Sequence, residues 1–373
     1  MATALEEKVE RPKGPKPEDL VFERVMDDRV TTHFENNAQA WASPLSTPAY
    51  LDIQHKLCTS ETVKKRISFW VLHLPGNPTA VMSSCTTYVR DALMMDSNGP
   101  RSVKAVVISD IFTHSEYRMR GIAKQLLKRL QDHMDESMPE IEFSLVFGSW
   151  DLDMYQGLGW EPLRATQMRL MINPDYECKI PEGVSSNFKL LGFRDVAELV
   201  DGDINICKLR LSACRDGKTH VQLVPTDPLA RWHLIRSRLF SQYLGRGTMA
   251  SQKHGALVGI DIPVWGWWVH DFQRRRLVIG RLFESRKSTQ EVEVSLFLEL
   301  AMWEARKCGL REVVIWDPSP QCILGGNGLV ALYDKDVVLT VLEKRLERVP
   351  CLRWRMGEKR EVVLREGQFY SWS

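Results

Sequence analysis

No apolar run in this chain approaches the ~18 residues that span a bilayer, so no membrane helix is expected. Its eight cysteines, Cys58, Cys85, Cys178, Cys207, Cys214, Cys308, Cys322 and Cys351, include no CxxC pair. Neither a zinc-finger spacing nor a disulfide scaffold is therefore expected, and no metal is read from the spacing. Neither sign of charge dominates: 50 Lys and Arg stand against 48 Asp and Glu, for a net charge of +2. That balance offers no electrostatic attraction to nucleic acid or to an anionic membrane, so neither is expected as a partner. The opening segment, MATALEEKVERPKGPKPEDL, has no apolar core of a secretory signal, and the closing YSWS is not the Ser-Lys-Leu address. With thiols read as free, these absences point to the cytoplasm. Oligomeric state is not legible.

What is present is ordinary for a globular protein: 44% hydrophobic and 26% charged residues. A length of 373 residues exceeds what one core usually organises, so two domains are expected. Residues 1–18, rich in Lys, Glu and Pro, read as a disordered tail. Residues 36–50, with Trp41, Pro44 and Pro48, read as helix ends and loop, and residues 51–65 as a helix. Three strand candidates follow at 67–74 (ISFWVLHL), 80–89 and 103–113, separated by turns at Pro75-Gly76-Asn77-Pro78 and at 96–100. The period then changes. Ile122, Ala123, Leu126, Leu127, Leu130 and Met134 recur at spacings of three and four, which predicts an amphipathic helix. A short buried strand, FSLVF at 143–147, completes an α/β unit whose helix crosses between neighbouring strands. From about residue 185 a second half begins, and its later part repeats the order. Strand candidates lie at 255–269 and 276–283, a helix at 292–307 and a strand at 311–316. The expected domains are 19–175 and 185–373.

The chemistry concentrates in DIFTHSEYRMRGIA, residues 110–123, where a strand ends and a helix begins at Gly121. Backbone N–H groups at a helix start have no internal partner, and with the helix dipole they form an anion site. Glycine lets the backbone approach a pyrophosphate closely. Arg118, Arg120 and Lys124 add positive charge.

This segment resembles the cofactor loop of the GNAT acetyltransferase superfamily: Arg or Gln, two residues, Gly, one residue, Gly or Ala. Arg118, Gly121 and Ala123 fill those positions. A second feature of that superfamily, Tyr then Gly-aromatic after the next strand, is similar to Tyr155-Gln156-Gly157-Leu158-Gly159-Trp160. One position departs: Gly148 stands seven residues before Tyr155, where Asn is often found. The resemblance implies an N-terminal GNAT fold, a mixed and mostly antiparallel sheet flanked by helices, followed by an α/β domain that is a diverged GNAT-like copy. It implies acetyl-CoA as co-substrate, bound by Ile111, Phe112, Thr113, Arg118, Met119, Arg120, Gly121, Ile122 and Ala123, and no metal. In that superfamily the amine attacks the thioester directly in a ternary complex. By the same likeness Tyr155 is the proton donor to the leaving thiolate, Asp110 a candidate base, and backbone N–H groups at 111–113 the oxyanion donors. Each has a plainer alternative: Tyr155 as a packing aromatic, Asp110 as a solvated carboxylate. His114 and Glu116 read as surface groups and Cys85 as core.

The whole layout, with Ser149-Trp150-Asp151 and a Trp-rich second half, is similar to the fungal lysine ε-N-acetyltransferase family. That likeness implies free L-lysine, a small-molecule amine, as acceptor, and a place in lysine catabolism. A free amino acid needs a cation for its carboxylate and an acceptor for its ammonium. Aromatic walls in 265–271 (WGWWVHD) are candidates to hold its stem, or else a hydrophobic strand pair. The run Arg274-Arg275-Arg276 reads as a solvated turn. No RxxGxG/A pattern stands before the second helix, so the second half is expected to close the acceptor site rather than bind the cofactor. A protein acetyltransferase and a non-catalytic acetyl-CoA-binding protein remain the competing readings.

Overall fold

Chain order in the first half is three helices set between two strands, then a long antiparallel hairpin. Strand β1 (Val21–Val25) leads to α1 (Arg29–Trp41), α2 (Thr47–Cys58) and α3 (Glu61–Lys64), then to β2 (Ile67–Leu74), β3 (Asn77–Asp96) and β4 (Gly99–Thr113). Helix α4 (Ile122–Ser137) crosses to β5 (Ile141–Gly148), parallel to β4. Then come α5 (Leu152–Gln156), β6 (Glu161–Pro162) and β7 (Thr166–Ile172). The second half runs β8 (Phe188–Leu191), α6 (Phe193–Ser212), β9 (Thr219–Leu223), α7 (Asp227–Tyr243), β10 (Gly255–Val258), β11 (Val264–Asp271) and β12 (Arg276–Glu284). It continues with α8 (Glu291–Lys307), β13 (Glu312–Trp316), α9 (Pro320–Tyr333), β14 (Val338–Lys344), β15 (Val349–Trp354) and β16 (Val362–Leu364). This computed structural model describes residues 16, 19–149, 152–175, 180, 187–245, 252–259, 263–285, 290–333 and 338–372. Nearly all of the expected tail, Trp150, Asp151, Cys178 and most of the expected boundary near 175–185 lie outside those residues.

Local chemistry accounts for most boundaries. The β2–β3 turn holds Gly76 at φ 74, and in the β3–β4 turn Asp96 Oδ1 accepts the Asn98 N–H at 2.8 Å. Helix α4 buries Ile122, Leu126, Leu127, Leu130 and Met134, the stripe its periodicity predicts. The helix expected over 51–65 is instead two. Helix α2 starts earlier, with Ser46 as N-cap and Pro48 in its first turn, and ends at Thr59. The Thr59 hydroxyl donates back to the His55 carbonyl at 2.9 Å, and Ser60 is extended, with ψ 126, before α3 begins. Hydroxyl side chains that bond the local backbone break a helix in this way.

Two mixed sheets result. The first runs β1-β2-β3-β4-β5-β15-β6, with β9 and β16 added on β3, and the second runs β14-β7-β13-β12-β11-β10-β8. Each contains the same core: an antiparallel hairpin, a crossover helix and a parallel strand, namely β3-β4-α4-β5 in one and β11-β12-α8-β13 in the other. The halves exchange strands. Chain neighbours β6 and β7 divide between the sheets, as do β14 and β15, so that β7 pairs β13 and β14 while β15 pairs β5 and β6. Segments 19–175 and 185–373 therefore share both sheets.

The period of two distributes side chains between layers. On β4, Val106 and Ile108 join the α4 cluster, while Ala105 and Val107 join a central core with β9, α6, α7, β11 and β12. On β15, Cys351 faces the α4 cluster and Leu352 and Trp354 face the central core. The layers run α4, first sheet, central helices, second sheet, α8.

Candidate active site

The parallel ladder between β4 and β5 stops at Ile108↔Val146, although both strands continue. Beyond that point β4 keeps only β3, and β5 keeps β15. The strands part into a wedge whose inner edge is main chain. A β-bulge lies at its mouth: Ser109 pairs Thr86 and Phe112 pairs Ser84, which leaves Asp110 and Ile111 opposite Cys85 alone. Asp110 takes up the bend at φ 51, and its side chain lines a cavity of about 570 Å³.

At the end of β4 the chain turns through Ser115–Tyr117 into α4. Met119 (φ 61) and Gly121 (φ 77) are both left-handed, and Gly121 is the N-cap. A Cβ at Gly121 would meet nothing within 4 Å, so glycine is there for its backbone conformation, not for want of space. The first helical N–H groups, of Ile122, Ala123 and Lys124, point out of the helix end, where an anion is stabilised. Arg118 is exposed, but its side chain turns back on the strand. Its Nε donates to the Thr113 carbonyl at 3.0 Å, and its guanidinium lies 5.3 Å from the centre of the Phe112 ring. It ties the loop to the strand end. Met119 is almost wholly exposed. Ser83 Oγ donates to the Phe112 carbonyl and contacts Thr113 Oγ1, each at 2.9 Å.

Tyr155, on α5, faces the same cavity, and its ring lies against Gly148 at the end of β5. Trp160 is fully buried and donates from Nε1 to Ser144 Oγ at 3.0 Å. The Tyr-to-Trp segment thus has one cavity-facing and one core aromatic.

Both halves wall the cavity. Trp41, Tyr50 and Cys58 come from α1 and α2, Trp232 and Arg236 from α7, Gln273 and Arg274 from the β11–β12 turn, Arg348 from the β14–β15 connection and Trp372 from the segment after β16. Asp110 is open to the cavity but surrounded by protein on other sides. That enclosure raises its pKa above the ordinary carboxylate value, against the lowering pull of the Thr86 hydroxyl, the Arg236 charge and Ser109. Enclosure also lowers the Arg236 pKa and brings Arg348 down to about 9; both remain cations at neutral pH. Arg348 stacks 4.1 Å from the Trp372 ring centre. Among the described residues no carboxylate lies within 4 Å of either guanidinium. Behind the bulge, His33 of α1 is fully buried. Its Nδ1 contacts Ser84 Oγ at 2.7 Å, and its Nε2 contacts Thr86 Oγ1 at 3.1 Å. Burial pushes its pKa down to about 3, so it is neutral.

Asp110, Ile111 and Tyr155 thus converge on one cavity, and Arg118 to Ala123 lie at the far end of the wedge. The tryptophans at 265–268 do not face it: Trp265, Trp267 and Trp268 are buried in the cores, each against the facing side of its strand. The turn after them does, through Gln273 and Arg274. Cys85 is core, as read. Sequence reading missed α7 and with it Arg236 and Trp232. The signal was present in RWHLIRSRLF, but its basic residues interrupt the apolar stripe: Arg236 lines the cavity, Arg231 pairs with Asp227 and Arg238 is exposed.

A β-bulged strand, a wedge beside its parallel neighbour, a left-handed glycine at the next helix start and a tyrosine across the gap define a GNAT N-acyltransferase. The comparisons agree. Residues 167–373 match the family described as LYC1 GNAT-like C-terminal domain, and residues 86–163 match the acetyltransferase (GNAT) domain. The chain belongs to the LYC1 GNAT-like family. It is 24% identical over 340 residues to the uncharacterised protein YGR111W of Saccharomyces cerevisiae, covering 80% of this chain and 84% of that protein. Its fold is similar to that of a conserved Enterococcus faecalis protein described as a probable N-acyltransferase (TM-score 0.54, 11% identity, 90% of this chain and 72% of the other). It is also similar to a GCN5-related N-acetyltransferase of Anabaena variabilis (TM-score 0.52, 12% identity, 90% and 72%). No helix among the described residues is long and apolar enough to cross a membrane.

Proposed function

We propose that this chain transfers the acetyl group of acetyl-CoA to the side-chain amine of a free amino acid, L-lysine. The observation that supports this most is the pairing, in one cavity, of a carboxylate of raised pKa, Asp110, with the cations Arg236 and Arg348. An amino acid acceptor carries a carboxylate to match the arginines and an amine whose proton must leave before attack. Residues 19–175 carry the cofactor loop and residues 185–373 supply the arginines.

Acetyl-CoA supplies an acyl carbon activated as a thioester. The chain's own residues do the rest. The N–H groups at the start of α4 and the left-handed turn from Arg118 to Ala123 fit a pyrophosphate, with Arg120 adding charge. The main-chain edge of Ile111, Phe112 and Thr113 offers hydrogen bonds along the wedge, including donors for a developing oxyanion. Asp110 takes the amine proton, and its raised pKa makes it a better base than an ordinary carboxylate. Tyr155 holds a proton on its hydroxyl on the opposite wall. Membership of the family supports a place in lysine breakdown, and cysteines that are free among the described residues fit the cytoplasm.

The test is to incubate the purified protein with acetyl-CoA and a panel of free amines and follow thiol release. Lysine is expected to be the best acceptor. No release with lysine or any other free amine refutes the proposal. Tyr155→Phe is expected to lower kcat more than it raises KM; an equal loss of both marks Tyr155 as a packing residue.

A further inference from the structure

Away from the cavity, β11 and α8 bring three metal-ligating side chains to one point. His270 comes from β11, and Glu304 and Cys308 from the last turn of α8 and its C-cap. His270 Nε2 lies 3.1 Å from Glu304 Oε1, and Cys308 Sγ lies 3.4 Å from the same oxygen. All three ligand atoms fall within 4.8 Å of one another. A tetrahedral zinc-class ion, held at about 2.0–2.1 Å by nitrogen and oxygen and about 2.3 Å by sulfur, needs ligand separations of about 3.3–3.6 Å. The two separations to Glu304 Oε1, 3.1 and 3.4 Å, already lie close to that range, and the third is under 4.8 Å.

The surroundings are built to hold these groups. The His270 and Glu304 side chains are completely buried. Ser237 Oγ accepts the His270 N–H at 2.9 Å and donates to its carbonyl at 3.2 Å, which fixes the strand end. The Lys253 N–H donates to Glu304 Oε1 at 2.9 Å, the kind of outer contact that orients a ligating carboxylate. Glu304 Oε2 and His270 Nδ1 have no hydrogen-bond partner among the described residues, and Lys307 Nζ approaches Oε2 only to 3.7 Å. A carboxylate this deep, with every hydrogen bond on one oxygen and only a long ion pair on the other, is costly unless a closer charge balances it.

We propose that His270, Glu304 and Cys308 bind one divalent ion of the zinc class in the C-terminal half. A carboxylate, a thiolate and a neutral imidazole carry two negative charges, and the ion brings the buried site to neutrality. Binding releases the thiol proton of Cys308 to solvent, and His270 coordinates through the Nε2 lone pair with its proton on Nδ1. The fourth position is filled by water or by His254, whose ring centre lies 5.8 Å from that of His270. CxxC spacing is not how such a site is built here. Two ligands share a helix face four residues apart and the third comes from a strand.

The experiment uses the full chain, produced with zinc in the medium and dialysed into metal-free buffer. Zinc is measured by mass spectrometry, and the cobalt-substituted protein is measured by optical absorption. About one zinc per chain and a thiolate-to-cobalt charge-transfer band are expected, both lost in Cys308→Ser and both reduced in His270→Gln. Zinc near zero in the wild type overturns the proposal, as does unchanged zinc in a folded Cys308→Ser. Where a variant does not fold, alkylation of the wild type decides: zinc must slow labelling of Cys308 and a chelator must restore it. Labelling indifferent to both overturns the proposal.

Discussion

The ring of Tyr155 lies directly over Gly148: a Cβ built there would stand 2.7 Å from Tyr155 Cε2 and 2.9 Å from Cδ2. The glycine that replaces the Asn usual at this position is what admits the ring. Gly148→Ala is expected to push Tyr155 out of register, at a cost of about 1–3 kcal/mol in stability and on the order of 10- to 100-fold in kcat. The kcat loss should largely vanish in a Tyr155→Ala background, which a double-mutant cycle measures.

Asp110→Asn removes the carboxylate from the cavity. Loss of the proposed general base is expected to lower kcat/KM by about 100-fold or more, and to abolish the rise in rate as pH climbs through the raised pKa. The sign on stability is opposite. A carboxyl group whose pKa is raised on folding favours the fold most below its unfolded value, and that contribution is lost as pH rises through the folded value. Asp110→Asn should therefore melt higher than wild type at pH 7, with the difference shrinking toward acid pH. Thermal denaturation across pH tests this.

His33 gives the reverse dependence. Its folded pKa, about 3, lies below the ordinary value of 6.5, so its contribution is complete above pH 6.5 and is lost as pH falls toward 3. His33→Gln is expected to flatten the acid limb of the stability curve by on the order of a few kcal/mol, relative to wild type, near pH 3. Urea titrations at several pH values provide the comparison.

Gly121 separates conformation from charge. Gly121→Ala has room for its methyl group but must hold a left-handed backbone at φ 77, at a cost of about 1–2 kcal/mol. Gly121→Asp bears the same strain and adds a carboxylate at an anion site. Calorimetry should therefore show acetyl-CoA binding weakened by the first and abolished by the second.

Carboxylate recognition assigns a distinct signature to the cavity arginines. Arg236→Ala or Arg348→Ala is expected to raise KM for lysine by about 10- to 100-fold. KM for cadaverine, which has the chain and amines without the carboxylate, should hardly change. A parallel rise for both amines would sink the assignment.

Much of the first half is legible in its residues alone. The β-branched and aromatic run at 67–74, the turn at Asp96 to Pro100 and the stripe from Ile122 to Met134 carry their own periods, and those periods survive folding. The proposed cofactor loop is equally local. Its features are a strand end, a left-handed glycine and a helix start within a dozen residues. These are properties of short stretches of backbone, and a sequence determines them directly.

The rest needed the tertiary structure. Alternation in β7 and β15 tells which side of each strand is apolar but not which sheet takes the strand, because a period of two carries no record of its partner. The exchange that places β15 beside β5 is decided by packing. The same holds for the three tryptophans of β11, equally suited by composition to a core or a pocket until the opposite sheet covers them. Arg236 and Asp110 lie 126 positions apart and share a cavity only because α7 packs against α2, α3 and β11. The sequence alone determined the left-handed turn from Met119 to Gly121 and the helix start that follows it, since these are local backbone geometry. What faces that loop, and which acceptor it suits, rests on distant side chains that only the folded chain brings together.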